Sequence, residues 1–153
     1  FRYTNAMIEL KGQGLVEKPM TSRFKGVLNL QYATNLNKWI FDFTASLNGS
    51  CRVYNFMEDL KDENGNLLYK NGRTPVYPLL YAQVTRRFKG WDVYAGVENL
   101  TNFTQKSVIL GYERTESGYV TPRQTSFDAS CIWGPLMGIK AHVGFRFTLW
   151  KKA

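Results

Sequence analysis

The chain has 153 residues, with 20 Lys and Arg against 12 Asp and Glu, so its formal net charge is +8. This length suffices for one domain with a core of its own. The positive excess favours an acidic partner: nucleic acid, anionic lipid or the phosphates of lipopolysaccharide. No stretch approaches the roughly 18 consecutive apolar residues of a membrane helix, which excludes spanning by helices but not by strands. The chain begins at Phe1 without Met or a signal-peptide pattern, so we expect a fragment or a processed piece.

Apolar and polar residues alternate with a period of two, which sends successive side chains of a strand to opposite faces. The alternating segments are 5–11, 24–34, 39–48, 80–88, 91–98 and 138–150. In 80–88, Arg86 is the one break in the apolar face. An apolar stripe opposite a charged stripe is what an outer-membrane barrel shows to lipid and to its lumen. We therefore predict an all-β fold, an antiparallel transmembrane β-barrel, to which this chain contributes only a part because membrane barrels start at eight strands.

The connections between these segments alternate in length. Residues 35–38 and 89–90 are tight turns, whereas 49–77 and 100–138 are long and rich in Gly, Asn, Pro and charge. Outer-membrane barrels have short periplasmic turns and long extracellular loops. We expect the whole chain, 1–153, to belong to a barrel domain with its tight turns in the periplasm and both long loops outside the cell.

Tryptophan positions support this orientation independently. Trp39 and Trp91 each begin a strand directly after a tight turn, and Trp150 ends the last strand, so the three indoles are predicted at one periplasmic level. A membrane interface favours such a girdle, because an indole has an apolar body and one N–H to keep hydrated. Four lysines lie at that level and are placed to meet lipid phosphates by snorkelling, namely Lys38, Lys89, Lys151 and Lys152. Aromatic residues at the rim of a soluble sandwich would share no common level.

The segment Tyr94-Ala-Gly-Val-Glu-Asn-Leu-Thr-Asn102 is an alternating strand that runs into an Asn-Leu-x-Asn turn, and a long loop and a final strand follow it. This arrangement resembles the penultimate-strand signature of TonB-dependent outer-membrane receptors. Further segments similar to the Bacteroidetes branch of that family are Tyr32-Ala-Thr-Asn35, Lys38-Trp-Ile-Phe-Asp42, Ala82-Gln-Val-Thr-Arg86, Phe127-Asp-Ala-Ser130 and Trp133-Gly-Pro135. The likeness covers nearly the whole chain from about residue 15.

The resemblance implies a barrel of about 22 strands filled by an N-terminal plug, located in the bacterial outer membrane. Such a receptor imports a scarce ligand with energy delivered through TonB, catalyses no bond chemistry and needs no cofactor. The implied partners are the remainder of the barrel and the plug, outer-membrane lipid and lipopolysaccharide, and TonB through the absent N-terminal part, but no nucleic acid. Whether a surface lipoprotein caps the barrel stays open, as does the identity of the ligand.

Two features depart from the family pattern. The family usually carries another full strand between a segment like 7–12 and one like 15–20, which are nearly adjacent here. It also commonly stops on an aromatic residue, whereas Lys151, Lys152 and Ala153 follow Trp150.

The lumen face of the predicted barrel carries titratable residues. Asp42, Glu98 and Arg146 are expected to satisfy one another or the plug rather than to line a substrate path. His142, the single histidine, is interpreted as a hydrogen-bonded wall residue rather than a metal ligand or a general base. No catalytic residue and no metal site is predicted.

Loop residues that combine contact area with hydrogen bonding are the candidates for touching ligand or lipopolysaccharide. They are Arg52, Tyr54, Arg114, Tyr119 and Arg123. Exposed loop polarity explains these residues equally well.

Cys51 and Cys131 fall in the long loops, and two unpaired thiols are favoured over a disulfide. Asn48, Asn99 and Asn102 match the glycosylation acceptor pattern and are interpreted as turn residues.

Two other functions compete with the receptor interpretation. A soluble basic β-sandwich that binds nucleic acid or polyanionic glycan would need aromatics on an exposed basic face, whereas here they share the apolar stripe. A barrel enzyme acting on lipid or peptide would need Ser, His and carboxylates clustered at one barrel level, and the sequence has one His.

Overall fold

The computed structural model describes residues 1–61, 64–105, 111–114, 120–123 and 129–149. The chain divides into two compact units. We call them the loop unit (Phe1–Lys25, Asn48–Tyr77 and Thr104–Leu136) and the sheet unit (Gly26–Leu47, Pro78–Phe103 and Met137–Ala153). No helix within the described ranges has the length and apolarity to cross a membrane.

Ten strands are formed by the described residues. They are β1 (Arg2–Tyr3), β2 (Met7–Leu10), β3 (Gly14–Glu17), β4 (Phe24–Ala33), β5 (Trp39–Asn48), β6 (Tyr77–Arg87), β7 (Trp91–Glu98), β8 (Gly111–Arg114), β9 (Val120–Arg123) and β10 (Lys140–Phe147). The main sheet has the order β1-β4-β5-β6-β7-β10, and β2-β3 and β8-β9 form separate two-stranded sheets. The predicted all-β fold with antiparallel sheets is confirmed, and the sheet is not closed into a barrel.

Each of the six predicted segments overlaps a strand, and the predictions 39–48 and 91–98 match β5 and β7 to the residue. β6 begins at Tyr77, three residues before the predicted segment 80–88. Four short strands were not predicted, namely β1, β3, β8 and β9. Strands of two to four residues are too short to show a period of two. The segment 14–17 pairs with β2 as a hairpin, with Glu9 opposite Leu15.

Both predicted tight turns are present. Between β4 and β5, Leu36 and Asn37 have φ of 59° and 51°, and the Thr34 hydroxyl accepts a 3.0 Å hydrogen bond from the Trp39 N–H. Between β6 and β7, Gly90 has φ 85°, a conformation that glycine adopts without steric penalty.

The loop unit has a hydrophobic core of its own. Val53, Met57, Tyr69 and Cys131 are buried. Six partly buried side chains pack around them: Met20, Tyr54, Phe56, Leu60, Leu68 and Trp133. The described parts of the predicted long loops therefore pack around apolar side chains that lie in short 3-10 turns and irregular backbone, where no periodicity marks them. Cys51 and Cys131 are buried and form no disulfide with each other, as predicted.

The sheet unit distributes its side chains in the opposite way. On β10 the apolar residues Val143, Phe145 and Phe147 are 71%, 63% and 71% exposed, while the polar Ser46 of β5 is only 8% exposed. Within the described residues of this unit, the buried positions belong to polar residues and glycine. A sheet that leaves its apolar face this exposed differs from the usual soluble arrangement of apolar-in and polar-out.

Candidate functional site on the polar face of the sheet

The strand register aligns the polar faces of β6, β7 and β10 on the same side of the sheet. β10 pairs with β7 so that His142 lies opposite Gly96 and Arg146 opposite Asp92. β6 pairs with β7 so that Gln83 lies opposite Gly96 and Arg87 opposite Asp92. Because directly opposed residues of an antiparallel pair share a face, these polar residues form one continuous surface.

Two glycines leave room for rings on this surface. A Cβ at Gly96 would lie 2.7 Å from two atoms of the His142 imidazole, and one at Gly144 would lie 2.3 Å from the tip of the Tyr94 ring. Each ring therefore lies over the glycine opposite it on the neighbouring strand, an arrangement known to support strand pairing at glycine positions.

The first of two hollows on the polar face has a volume of about 290 Å³. Its polar lining includes Asp42, Gln83, Glu98 and His142. The His142 Nε2 lies 3.5 Å from the Gln83 Oε1, and the Lys140 ammonium lies 3.8 Å from the Glu98 carboxylate. The structure thus brings three of the predicted lumen residues to one hollow.

The second hollow has a volume of about 400 Å³ and is lined by residues of β4, β5, β6, β7 and β10. Asp42 accepts a 2.6 Å hydrogen bond from the Gln31 amide, and the Arg87 Nε lies 3.6 Å from the Asp92 carboxylate. Arg146, the fourth predicted lumen residue, also lines this hollow. The surface therefore carries both signs of charge and hydrogen-bonded amides, which suits polar contacts with a protein segment or a polar ligand.

Metal binding has no evident place on this surface. Among the described residues, no group of three or more His, Cys, Asp or Glu side chains is arranged to hold an ion. Of the predicted lumen residues, His142 contacts an amide, Asp42 an amide and Glu98 an ammonium.

The Asn-Leu-x-Asn turn connects the C-terminal end of β7 to the residues just before β10. The Asn99 amide donates to the carbonyls of Phe103 (2.8 Å) and Met137 (3.1 Å), and its oxygen accepts from the Thr101 hydroxyl (3.0 Å) and the Phe103 N–H (3.2 Å). Asn99 has φ 53° and is 6% exposed. Its interpretation as a turn residue is confirmed.

The predicted ligand candidates of the first long loop lie in the loop unit. Arg52 is half-buried and donates a 2.8 Å hydrogen bond to the Asn55 side chain, with the Glu58 carboxylate at 3.9 Å. The Tyr54 ring stacks on Phe56 with centroids 5.4 Å apart. Both residues are thus engaged with neighbours of their own loop.

The candidates of the second long loop are described only in part. Arg114 lies opposite Val120, and Arg123 opposite Gly111, in the β8-β9 hairpin. Tyr119 lies outside the described residues.

A charged cluster of the loop unit was not predicted. The Glu17 carboxylate accepts two hydrogen bonds from Arg73 (2.8 and 2.9 Å) and two from Arg23 (3.0 and 2.8 Å). The Arg73 guanidinium lowers the pKa of Glu17, partial burial opposes this effect, and Arg23 adds to the lowering. The ion pair between Glu17 and Arg73 links β3 to a residue 56 positions further along the chain. A local sequence pattern does not indicate contacts over such a separation.

Two of the three tryptophans of the predicted aromatic girdle, Trp39 and Trp91, lie among the described residues. Trp39 stacks on Phe41 at 6.4 Å, and Trp91 stacks on Phe88 at 4.2 Å. Trp150 lies outside the described residues.

Several residues of the polar face were not singled out from the sequence. They are Gln31, Gln83, Arg87, Asp92 and Tyr94. The alternation of 24–34, 80–88 and 91–98 places all five on the polar side of their strands, so a search for polar residues sharing that face would have found them.

Comparisons with known proteins assign no family to the chain. The chain matches no protein-family model, and searches of curated proteins and of solved structures returned no significant match.

Proposed function

We propose that this chain forms part of the barrel wall of a TonB-dependent outer-membrane receptor, with the long connections 49–77 and 100–138 outside the cell. In this proposal the polar face of the sheet lines the lumen and contacts the plug. The apolar face contacts lipid, and the loop unit shapes part of the ligand mouth. The ligand is a scarce solute taken up from outside the cell.

One observation carries the proposal: the sheet exposes its apolar face. Val143, Phe145 and Phe147 are more than 60% exposed, and the buried apolar residues of the described chain belong to the loop unit. At about 25 cal/mol per Å² of apolar surface, a face of this kind is favoured in contact with hydrocarbon rather than water. A membrane barrel provides that contact on its outer side.

The edges of the sheet also support the proposal. β10 pairs with β7 on one side, and β1 covers β4 only at Phe24 and Lys25. In the described part of the chain, both long outer strands therefore leave a row of backbone groups without a strand partner. Barrels remove such edges by closure, so further strands on both sides are what a complete wall would require.

The polar face fits a lumen rather than a catalytic cleft. Its polar contacts spread over five strands at 2.6–3.8 Å and are Gln31 with Asp42, Gln83 with His142, Arg87 with Asp92, and Lys140 with Glu98. The proposal assigns these residues to wall stability and plug contact and assigns no bond chemistry to the chain.

The test is membrane fractionation of the full-length native product, followed by electrophoresis of boiled and unboiled samples. An outer-membrane product whose mobility shifts on boiling is expected, because folded barrels resist detergent until heated. A soluble product without a shift would contradict the proposal and favour a basic binding module instead.

A further inference from the structure

Arg86 places a positive charge on the otherwise apolar face of β6. Its same-face neighbour across the strand pair is Val93 of β7. The guanidinium carbon lies 4.6 Å from the centre of the Trp39 ring and 5.4 Å from that of Phe88. Among the residues that the structure describes, no carboxylate pairs with this guanidinium. The charge thus has aromatic neighbours but no counter-ion in this part of the chain.

The rings around Arg86 are held by the sheet. Phe88 stacks on Trp91 with planes 10° apart, and the Phe88 N–H donates a 2.8 Å hydrogen bond to the Trp91 carbonyl. Stacking engages the flat faces of a guanidinium and leaves the N–H donors on its edge available to an acceptor. Arg86 is therefore positioned to donate two parallel hydrogen bonds to an oxyanion.

Two lysines add positive charge at the same end of the sheet. The Arg87 N–H donates a 2.8 Å hydrogen bond to the Lys38 carbonyl, which places the β4-β5 turn beside the end of β6. Lys89 lies in the adjoining β6-β7 turn, and both lysines are exposed. The nearby carboxylate of Asp92 lies on the opposite face, 3.6 Å from Arg87.

We propose that Arg86, Trp39, Phe88 and Trp91, together with Lys38 and Lys89, form a binding site for the phosphate of an anionic phospholipid. We call this set the Arg86 cluster. The inference rests on the proposed function, since it places the apolar face in a bilayer, and it adds a defined lipid site at the level of the tight turns.

The Arg86 cluster and its neighbours offer groups that suit both the phosphate and the acyl chains of a phospholipid. The phosphate accepts charge-assisted hydrogen bonds from the guanidinium, whose fork matches two phosphate oxygens. The exposed rings of Phe145 and Phe147 lie opposite Val93 and Trp91 on the same face and offer apolar surface to the acyl chains. Aromatic rings and basic side chains are favoured at this depth because they keep an apolar body in lipid and a polar group in the headgroup layer.

The test measures lipid retention by the full-length protein after purification and delipidation. The protein is titrated with phosphatidylglycerol or phosphatidylcholine, and bound lipid is counted by native mass spectrometry. The wild-type protein is expected to retain phosphatidylglycerol more tightly than phosphatidylcholine. R86Q is expected to weaken that retention about fivefold, the factor associated with loss of one basic residue at a charged membrane surface.

R87Q is the matched control, because Arg87 is the next residue and carries the same charge on the opposite face. It is expected to retain phosphatidylglycerol like wild type. Equal retention by R86Q and R87Q, with both proteins in the outer membrane and heat-modifiable, would overturn the lipid site while leaving the receptor proposal intact. A protein absent from the membrane fraction would overturn both.

If R86Q does not assemble, R86K and R87K take the place of the glutamine pair. Lysine keeps the charge but lacks the planar fork, so a loss confined to R86K supports the site. Equal retention by the two lysine variants overturns it.

Discussion

Glu17 shows how one carboxylate organises the charges of the loop unit. It accepts hydrogen bonds from both Arg73 and Arg23 and is 13% exposed, whereas Arg73 is 28% and Arg23 53% exposed. Solvent screening makes the Arg23 pair the weaker of the two. Most of the stabilisation is therefore expected from the pairing with Arg73, which joins β3 to the segment 49–77.

Replacing Glu17 by Gln is expected to lower the local unfolding free energy of the loop unit by roughly 1–2 kcal/mol, because two guanidinium groups lose a charged acceptor. Hydrogen exchange of amides in 49–77, corrected for intrinsic rates, measures this change. Glu9→Gln is the control, since Glu9 is exposed in the paired strand β2. Equal loss of protection in both variants would contradict the assignment.

The same variant tests the pH dependence of the cluster. Arg73 holds the pKa of Glu17 below its ordinary value of 4.5. A pKa depressed in the folded state contributes stability above pH 4.5, and this contribution is lost as the pH falls through the lower folded value. The difference in protection between wild type and Glu17→Gln is expected to be full at pH 7 and to narrow below about pH 4. A difference independent of pH would contradict the pairing.

Gly49 and Gly144 both lie close to other atoms, but a methyl group added at Gly49 would contact backbone, whereas one added at Gly144 would contact a side chain. A Cβ at Gly49 would lie 2.7 Å from the Phe24 carbonyl oxygen, and one at Gly144 would lie 2.3 Å from the tip of the Tyr94 ring. A ring tip moves by side-chain rotation, whereas a backbone carbonyl moves only with its strand.

Gly49→Ala is therefore expected to destabilise its surroundings by about 1–3 kcal/mol, and Gly144→Ala by less despite its shorter contact. Local hydrogen exchange around each site measures the two effects. A larger loss at Gly144 would show that Tyr94 is held as firmly as backbone.

At the scale of elements, the turn after β7 depends on one asparagine. Asn99 forms four side-chain hydrogen bonds at 2.8–3.2 Å and ties residue 137 to residue 103. Asn102, in the same turn, accepts one bond from the Ile139 N–H at 3.0 Å and is exposed. Both residues have positive φ, 53° and 49°.

Asn99→Ala is expected to cost roughly 3 kcal/mol, since the Phe103 and Met137 carbonyls lose their amide donor and two further side-chain bonds are removed. Asn102→Ala carries similar backbone strain and serves as the control for it. The measurement is the temperature at which the unboiled electrophoretic form of the full-length product converts to the boiled form. A larger drop is expected for Asn99→Ala, and equal drops would mean that backbone strain alone is responsible.

The strands were predictable where they were long and two-faced. β7 alternates without interruption, and β5 does so except at Ile40, which lies in phase with Asp42, so their bounds follow from the sequence. The hairpins β2-β3 and β8-β9 and the core around Val53 and Tyr69 were not predicted. The strands of both hairpins have only four residues each, which is too short to show a period of two. The core joins Val53 and Tyr69 to Cys131, positions far apart in sequence, which local periodicity does not report.

At the scale of the whole molecule, the proposal fixes an orientation in the membrane. The segment 49–77 is expected outside the cell and the turn 89–90 in the periplasm. Cys51 and Cys131 are buried, so the wild-type chain is expected to react little with a thiol reagent.

Lys70→Cys and Lys89→Cys form a matched pair of exposed positions. With a membrane-impermeant maleimide, the cysteine at position 70 is expected to be labelled on intact cells, and that at position 89 only after the outer membrane is opened. Labelling of both on intact cells would contradict the orientation, and the reverse pattern would invert it.

Local sequence pattern was enough to place the long strands, their two faces and the tight turns, because a period of two and turn residues act within a few positions of the chain. Tertiary structure decided the rest. It brought Asp42, Glu98, His142 and Arg146 to adjoining hollows through strand register and placed Arg86 over Trp39. It also built a loop core around Val53 and paired Glu17 with Arg73. Each of these depends on contacts between distant segments, whose free energy comes from burial and pairing that no local pattern encodes.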